Sequence, residues 1–263
     1  MISKYVMNMT FNSKELDFGE IIKYNAKDVI PFCKGTDTYN GIPLKLGNML
    51  NCFPVTIFGH TFANSEIAYI CGYYGVNSAN ASQIQKEIEQ CKNGMMAKRI
   101  FRHSAEKVKH ARADFNTSEW RFMWMFYIVW NKVMQNEELK NILMSLPTDK
   151  ILIENGNNTR TGYIWGCKNL ALKKHFKEIN KQIECSNTFS TKKHIKELQD
   201  AYRCDLSNHF GIWEGYNVMG KILMFVQKYL IYEQQYNNPV ALNIDYNCLN
   251  NAEIYWFGTK LTF

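Results

Sequence analysis

The sequence predicts a predominantly helical α+β fold with a small β component near its N-terminal end. Residues 28–60 carry Gly, Pro and Asn between short apolar runs such as Val55-Thr56-Ile57-Phe58-Gly59, which is the punctuation of strands and a hairpin. From residue 64 onward apolar side chains recur between charged ones at the three- and four-residue spacing of helices that bury one face. At 263 residues and 46% hydrophobic, the chain can bury a full core, and a single domain with an insertion is the expected organisation.

The elements follow in order. Asn64-Ser65-Glu66 starts a helix running to about Gly75, and Asn80 to Asn93 supplies a second. Gly94 to Val108 reads as one basic amphipathic helix. Thr117-Ser118-Glu119 caps a helix through Met134, and Asn136 to Leu146 adds another. The apolar run Lys150 to Asn155 is short. Lys173–Gln182 and Thr191–Arg203 read as the two helices of an insertion spanning about 168–208. A helix from Asn217 to Glu233 comes last, before a turn-rich tail, Pro239 to Phe263, with a strand near Glu253 to Phe257.

Composition excludes several classes. The longest apolar run, Phe122 to Trp130, falls short of the ~20 residues a membrane span needs, so no membrane partner is expected. Met1-Ile2-Ser3-Lys4-Tyr5 lacks the charged-then-apolar order of a secretory signal, and the expected location is cytoplasmic. Eight cysteines are scattered without a Cys-x-x-Cys pair or matching histidines, so they read as reduced thiols and no metal site is expected. The net charge of +7 points towards polyanions. Much of the excess lies in Lys168 to Arg203, which reads either as a solvated helical face or as a surface for nucleic-acid phosphates.

Chemistry concentrates in short motifs. Gly215-Tyr216-Asn217 runs without a break into the last helix: Gly215 lets backbone approach, Asn217 suits an N-cap, and Gly220 admits a close neighbour in the first turn. Such a start is a plain cap or an anion site. Upstream, in order, stand Leu50-Asn51-Cys52-Phe53-Pro54, Asn64-Ser65-Glu66-Ile67-Ala68-Tyr69, Arg112-Ala113-Asp114-Phe115, Lys132-Val133-Met134-Gln135-Asn136, Ile151-Leu152-Ile153-Glu154 and Ile164-Trp165-Gly166. Glu66, in the first turn of a helix, either offsets the helix dipole or serves a reaction. Trp165 beside Gly166 is either core or an indole face open for stacking.

This succession, from about Met49 to Leu230, resembles the NADAR family. The resemblance implies an N-glycosidase-like fold that needs no cofactor and acts on the C1 N-glycosidic bond of an ADP-ribosyl or phosphoribosyl substrate, ADP-ribosylated guanine in nucleic acid among them. On that resemblance Glu66, Glu154 and Asp114 are the catalytic candidates. Asn51, Tyr69, Tyr73, Arg112, Trp165, Gly166, Gly215 and Asn217 are the substrate-binding ones. Asn51, Glu66, Trp165, Gly215 and Asn217 are expected to converge on one cleft. Ligands implied are ADP-ribose or a phosphoribosyl nucleotide, with nucleic acid as a partner through Lys168 to Arg203. The chain departs from the family at Ile67, where members have His, at Tyr73-Tyr74, where they have Lys-Phe, and at Gly162, where they have Asp. Two other classes therefore stay open: a catalytically altered binder of ADP-ribose or NAD-derived nucleotides, and a nucleic-acid or partner-binding module.

Overall fold

The computed structural model describes residues 8–11, 21–186, 190–236 and 241–263; Met1 to Tyr5, Pro239 and the side chains of Arg203 and Cys204 lie outside the described set. The strands are β1 (Asn8–Phe11), β2 (Ile22–Asn25), β3 (Val29–Phe32), β4 (Thr38–Tyr39), β5 (Ile42–Pro43), β6 (Val55–Ile57), β7 (His60–Phe62), β8 (Ile151–Glu154), β9 (Ile212–Gly215), β10 (Ala241–Ile244), β11 (Tyr255–Trp256) and β12 (Thr259–Lys260). The helices are α1 (Ser65–Tyr73), α2 (Ala79–Glu89), α3 (Gly94–Ala97), α4 (Ala105–Val108), α5 (Trp120–Gln135), α6 (Glu137–Ser145), α7 (Gly162–Trp165), α8 (Leu170–Ser186), α9 (Lys192–His209), α10 (Val218–Tyr236) and α11 (Asn247–Asn251). The fold is mixed α+β, mostly helical, with its strands paired two by two. Among the described residues no helix is long and apolar enough to cross a membrane.

The chain forms two compact units. The first contains Asn48–Met144 and Phe225–Phe263 together with β1. Its centre is α1 against α5, and every residue of α1 is buried. Close approach there needs Gly72, because a Cβ would stand 2.2 Å from the Trp124 indole nitrogen. Phe11 of β1 stacks on Phe126 at 3.8 Å, and β1 pairs in parallel with β10 from Asn8↔Ala241 to Phe11↔Ile244. The expected hairpin after residue 55 is present: β6 and β7 join through Phe58-Gly59, both at positive φ.

Two local expectations are corrected. Gly94 to Val108 is not one helix: α3 runs into a π-helical turn, Lys98–Arg102, and the chain restarts at α4, where Ser104 accepts from the Lys107 N–H. The Tyr74 hydroxyl donates to the Phe101 carbonyl and holds the widened turn from outside it. Thr117-Ser118-Glu119 does not cap α5 through a side chain; the Thr117 hydroxyl instead closes a turn by donating to the Asp114 carbonyl.

The second unit contains Asp17–Gly47 and Ser145–Met224. Here β3 pairs in parallel with β8, β2 pairs antiparallel with β9, and isolated bridges Asn155↔Cys167 and Lys168↔Glu214 continue the pattern. The core cluster comprises Ala26, Val29, Ile153, Cys167, Leu172 and Trp213. Leu172 belongs to α8, which packs on α9, and Asp200 of α9 accepts from Lys34 at 2.7 Å. The basic hairpin is thereby part of this unit's packing. Its outer lysines, among them Lys177, Lys181, Lys192 and Lys196, are exposed.

Candidate functional site

Glu66 is positioned by a sequence-local device. Asn64 is the N-cap of α1, its side-chain oxygen accepting from the Ile67 N–H at 3.0 Å. Its amide nitrogen donates to Asn51 Oδ1 at 2.6 Å, and Asn51 in turn donates to the Lys92 carbonyl at 2.6 Å. The Glu66 N–H donates to the Asn48 carbonyl at 3.1 Å. The loop before β6 thus fixes the helix start, and Asn51 stands within that network with both ends of its amide engaged. Gly94 seats α3 on the same spot, since a Cβ there would meet Asn64 Oδ1 at 3.2 Å and Glu66 Cβ at 3.3 Å.

Glu66 is only 8% exposed. Burial raises its pKa above the usual glutamate range, while Lys98 and then Arg102 pull it back. Lys98 Nζ lies 3.8 Å from Glu66 Oε1. Lys98 and Arg102 come from the two ends of the π-helical turn; Lys98 faces the carboxylate directly, and Arg102 acts on it electrostatically. Tyr69, one turn along α1, has its hydroxyl pKa raised by burial, with Arg102 and Arg121 opposing.

An aromatic floor joins these groups. Phe115 is fully buried, with its ring 5.0 Å from both Tyr69 and Tyr73. The Arg102 guanidinium lies 5.2 Å over Tyr73 and 5.7 Å over Phe115. The neighbouring motif residues form a tie. Arg112 donates Nε to Asp114 Oδ1 at 2.9 Å and Nη2 to Oδ2 at 2.8 Å, and Trp120 Nε1 also reaches Oδ2, at 3.1 Å. Arg112 Nη1 donates to the carbonyls of Gly75 and Glu253. The Arg112 hydrogen bonds hold the Asp114 carboxyl below its ordinary value, so it stays ionised and paired. Arg112→Ala is expected to lower the thermal midpoint of the first unit, because it breaks the Asp114 pair and removes one donor each from the Gly75 and Glu253 carbonyls; truncating such a pair costs about 1–3 kcal/mol. A thermal melt followed by near-UV circular dichroism checks this.

In the second unit Glu154, Gly166, Gly215 and Asn217 meet in one backbone knot. The Cys167 N–H donates to the Glu154 carbonyl at 2.9 Å, and the Asn217 N–H donates to the Gly166 carbonyl at 3.2 Å. A Cβ on Gly166 would stand 1.9 Å from the Glu154 carbonyl oxygen, and one on Gly215 2.2 Å from the Gly166 oxygen. Gly220 does admit a close neighbour: its Cβ would lie 1.9 Å from the Leu152 oxygen. Asn217 precedes α10 as expected, but at φ +53 it donates its side-chain amide to the Leu152 carbonyl at 2.8 Å. Trp165, in α7, is half-buried. Gly162, where the resembling family has Asp, abuts Gly156: a Cβ would meet the Gly156 oxygen at 2.1 Å, which leaves no room for any side chain.

Sequence reasoning missed Lys98, Arg102 and Arg121, which carry no motif. Lys132, named above only as the head of a motif, is 2% exposed in α5, and burial pushes its amine down to about 8 while Cys52 opposes. A lysine among the apolar positions of a core helix was the available signal. A cavity of about 490 Å³, lined by Thr10, Asp245, Tyr246, Asn250 and Phe263 among others, shares no residue with the Glu66 cluster. Among the described residues no group of His, Cys, Asp and Glu is placed to hold a metal ion.

Fold and site define a mostly helical α+β protein with a buried carboxylate facing cations. Neither a protein-family profile nor a curated protein matches the chain. Among solved structures, the NMR structure of the E. coli protein YbiA is similar, at 18% identity over 80% of this chain and 88% of that one, with a TM-score of 0.47.

Proposed function

We propose that the protein is an N-glycosidase-like hydrolase that cleaves the C1–N bond of an ADP-ribosyl or phosphoribosyl substrate, with Glu66 as its reactive carboxylate. The observation that carries this reading is the Glu66–Lys98 pair: a glutamate 8% exposed at the start of α1, with an ammonium at 3.8 Å and a second cation, Arg102, on the same turn. The motif order read from the sequence supports it. As the C1–N bond breaks, its electron pair leaves on nitrogen and the sugar takes on oxocarbenium character. A carboxylate in a dry pocket offsets that charge and accepts a proton from the water that bonds to C1, and the leaving nitrogen ends protonated. Lys98 offsets part of the desolvation and so favours the ionised carboxylate.

Cofactor-free incubation with ADP-ribosylated guanosine, ADP-ribosylated DNA and phosphoribosyl pyrimidines, read by mass spectrometry, tests the reading. Release of the free base or amine from one of them is expected; intact substrates throughout overturn it. Because the ionised form of Glu66 is the working one and burial raises its pKa, activity should fall on acidification at a pH above the ordinary glutamate range. A pH profile of kcat/KM checks this, and an acid limb at or below that range counts against Glu66.

Tyr73 in place of the family's lysine favours a second reading, in which ADP-ribose binds without turnover. Titration calorimetry with ADP-ribose separates the two, since the binder reading predicts heat of binding and no product. We also assign nucleic acid as a partner of the α8–α9 hairpin, on the strength of its exposed lysines. Replacing Lys177, Lys181, Lys192 and Lys196 by Glu is expected to weaken DNA binding and flatten its salt dependence while the melt stays unchanged, because each neutralised phosphate adds about 0.9 to the salt slope. An unchanged slope leaves the hairpin as a solvated face.

A further inference from the structure

Two guanidinium groups that act on Tyr69, one turn along α1 from Glu66, are held by one residue. Arg102 Nη2 donates to Asn116 Oδ1 at 2.7 Å, and Arg121 Nη1 donates to the Asn116 backbone carbonyl. Among the described residues neither arginine forms a salt bridge, and the Arg121 Nε–H is buried without an acceptor. Desolvation lowers the Arg121 pKa and Arg102 lowers it further, although Tyr69 opposes. Glu66 feels both Lys98 and Arg102, and Lys98 already faces it at 3.8 Å. Three cations and one carboxylate leave a local charge of about +2 on a partly dried surface, an arrangement that costs energy until an anion arrives.

We propose that Lys98, Arg102 and Arg121 form a phosphate subsite beside Glu66, which takes the phosphomonoester or diphosphate of a ribosyl ligand. A phosphomonoester carries about −1.5 to −2 at neutral pH, which balances the excess. Guanidinium forks match phosphate oxygens two at a time, and the aromatic floor of Tyr73 and Phe115 fixes the plane of the Arg102 fork. The buried Arg121 Nε–H supplies a donor that awaits its acceptor. With Lys98 shared between Glu66 and the phosphate, the sugar of such a ligand is the part offered to the carboxylate. That last point rests on the glycosidase reading; the anion site itself does not.

The test is calorimetric titration of the full chain with ribose 5-phosphate, ADP-ribose, ribose and a single-stranded oligonucleotide. Ribose 5-phosphate should bind at least about tenfold more tightly than ribose, inorganic phosphate should compete, and Arg102→Gln and Arg121→Gln should each lose about tenfold, since charged hydrogen bonds of this kind are at stake. Arg121 is half-buried, so the Arg102→Gln and Lys98→Gln proteins, checked for an unchanged melt, keep the test alive if Arg121→Gln does not fold. Equal affinity for ribose and ribose 5-phosphate, or affinities unchanged in folded Arg102→Gln and Lys98→Gln, overturns the subsite. Oligonucleotide binding lost in Arg102→Gln, with no binding of the two small phosphates, overturns the mononucleotide assignment in favour of a nucleic-acid backbone. Phosphate-dependent binding without glycosidic cleavage sinks only the catalytic reading, and cleavage that survives in all three variants sinks only the subsite.

Discussion

Glu66→Gln should abolish glycosidic cleavage while the protein still folds and binds its ligand. The substitution keeps the shape of the side chain and its place in the first turn of α1, but it removes the charge that an oxocarbenium-like sugar requires. Losing one positioned charge or donor of this kind costs about 10²–10³ in kcat, so the loss should appear in kcat with KM little changed. Stability supplies an independent readout, and its sign is opposite. Burial holds the folded-state pKa of Glu66 above its unfolded value, so the ionised form opposes folding, and wild-type stability rises as pH falls through that folded pKa. At neutral pH the Gln protein should therefore melt at or above the wild-type temperature, with the advantage shrinking on acidification. A variant that is both inactive and markedly less stable would place Glu66 in the packing instead. Cleavage at the wild-type rate would remove it from the chemistry and bring Asp114 or Glu154 forward.

Gly166→Ala should cost the second unit its fold. Gly166 has φ −134, outside the left-handed region that favours glycine, and the demand on it is for space. An added methyl would sit 1.9 Å from the Glu154 carbonyl oxygen and 2.7 Å from its carbon, and backbone cannot rotate aside as a side chain can. Relief means parting the hydrogen bonds from Cys167 N–H to Glu154 and from Gly156 N–H to Cys167, which join this loop to β8. A loss of about 3–5 kcal/mol is expected, large beside typical single substitutions. Gly41→Ala is the internal control: at φ +80 it is strained, but nothing lies within 4 Å of the new Cβ, and only about 1–2 kcal/mol is at stake. Chemical denaturation of the two proteins checks the contrast; equal midpoints would refute the steric argument.

What the sequence disclosed depended on how local the cause was. The start of α1 was legible because the Asn64 side chain caps it by accepting from the Ile67 N–H only three residues on. Glu66 could be singled out by its motif, yet its neighbours could not. Lys98 and Arg102 reach it through a π-helical turn held by Tyr74, a residue more than twenty positions upstream, and no periodicity in a uniformly basic stretch announces such a turn. Arg121 joins them through Asn116, again by a contact that no spacing encodes. The Gly-x-Asn junction reads as a plain cap or an anion site, and Asn217 does stand at the start of α10, with the Lys221 N–H bonded to its carbonyl at 2.9 Å. The side chain went elsewhere, because the Leu152 carbonyl lies within its reach and competes for it. Glycines 166, 215 and 220 were visible as glycines, but the backbone oxygens that demand them belong to other segments.

The pairing of β1 with β10 ties residues 8–11 to residues 241–244. During synthesis the first of these strands emerges long before its partner, and Phe11 must wait for both Phe126 and Phe225 before its ring is enclosed. The pairings of β3 with β8 and β2 with β9 impose the same delay on the other unit. Such remote closures slow folding and leave apolar strand edges open in the meantime. The protein should therefore refold from denaturant far more slowly than a helical bundle of equal length.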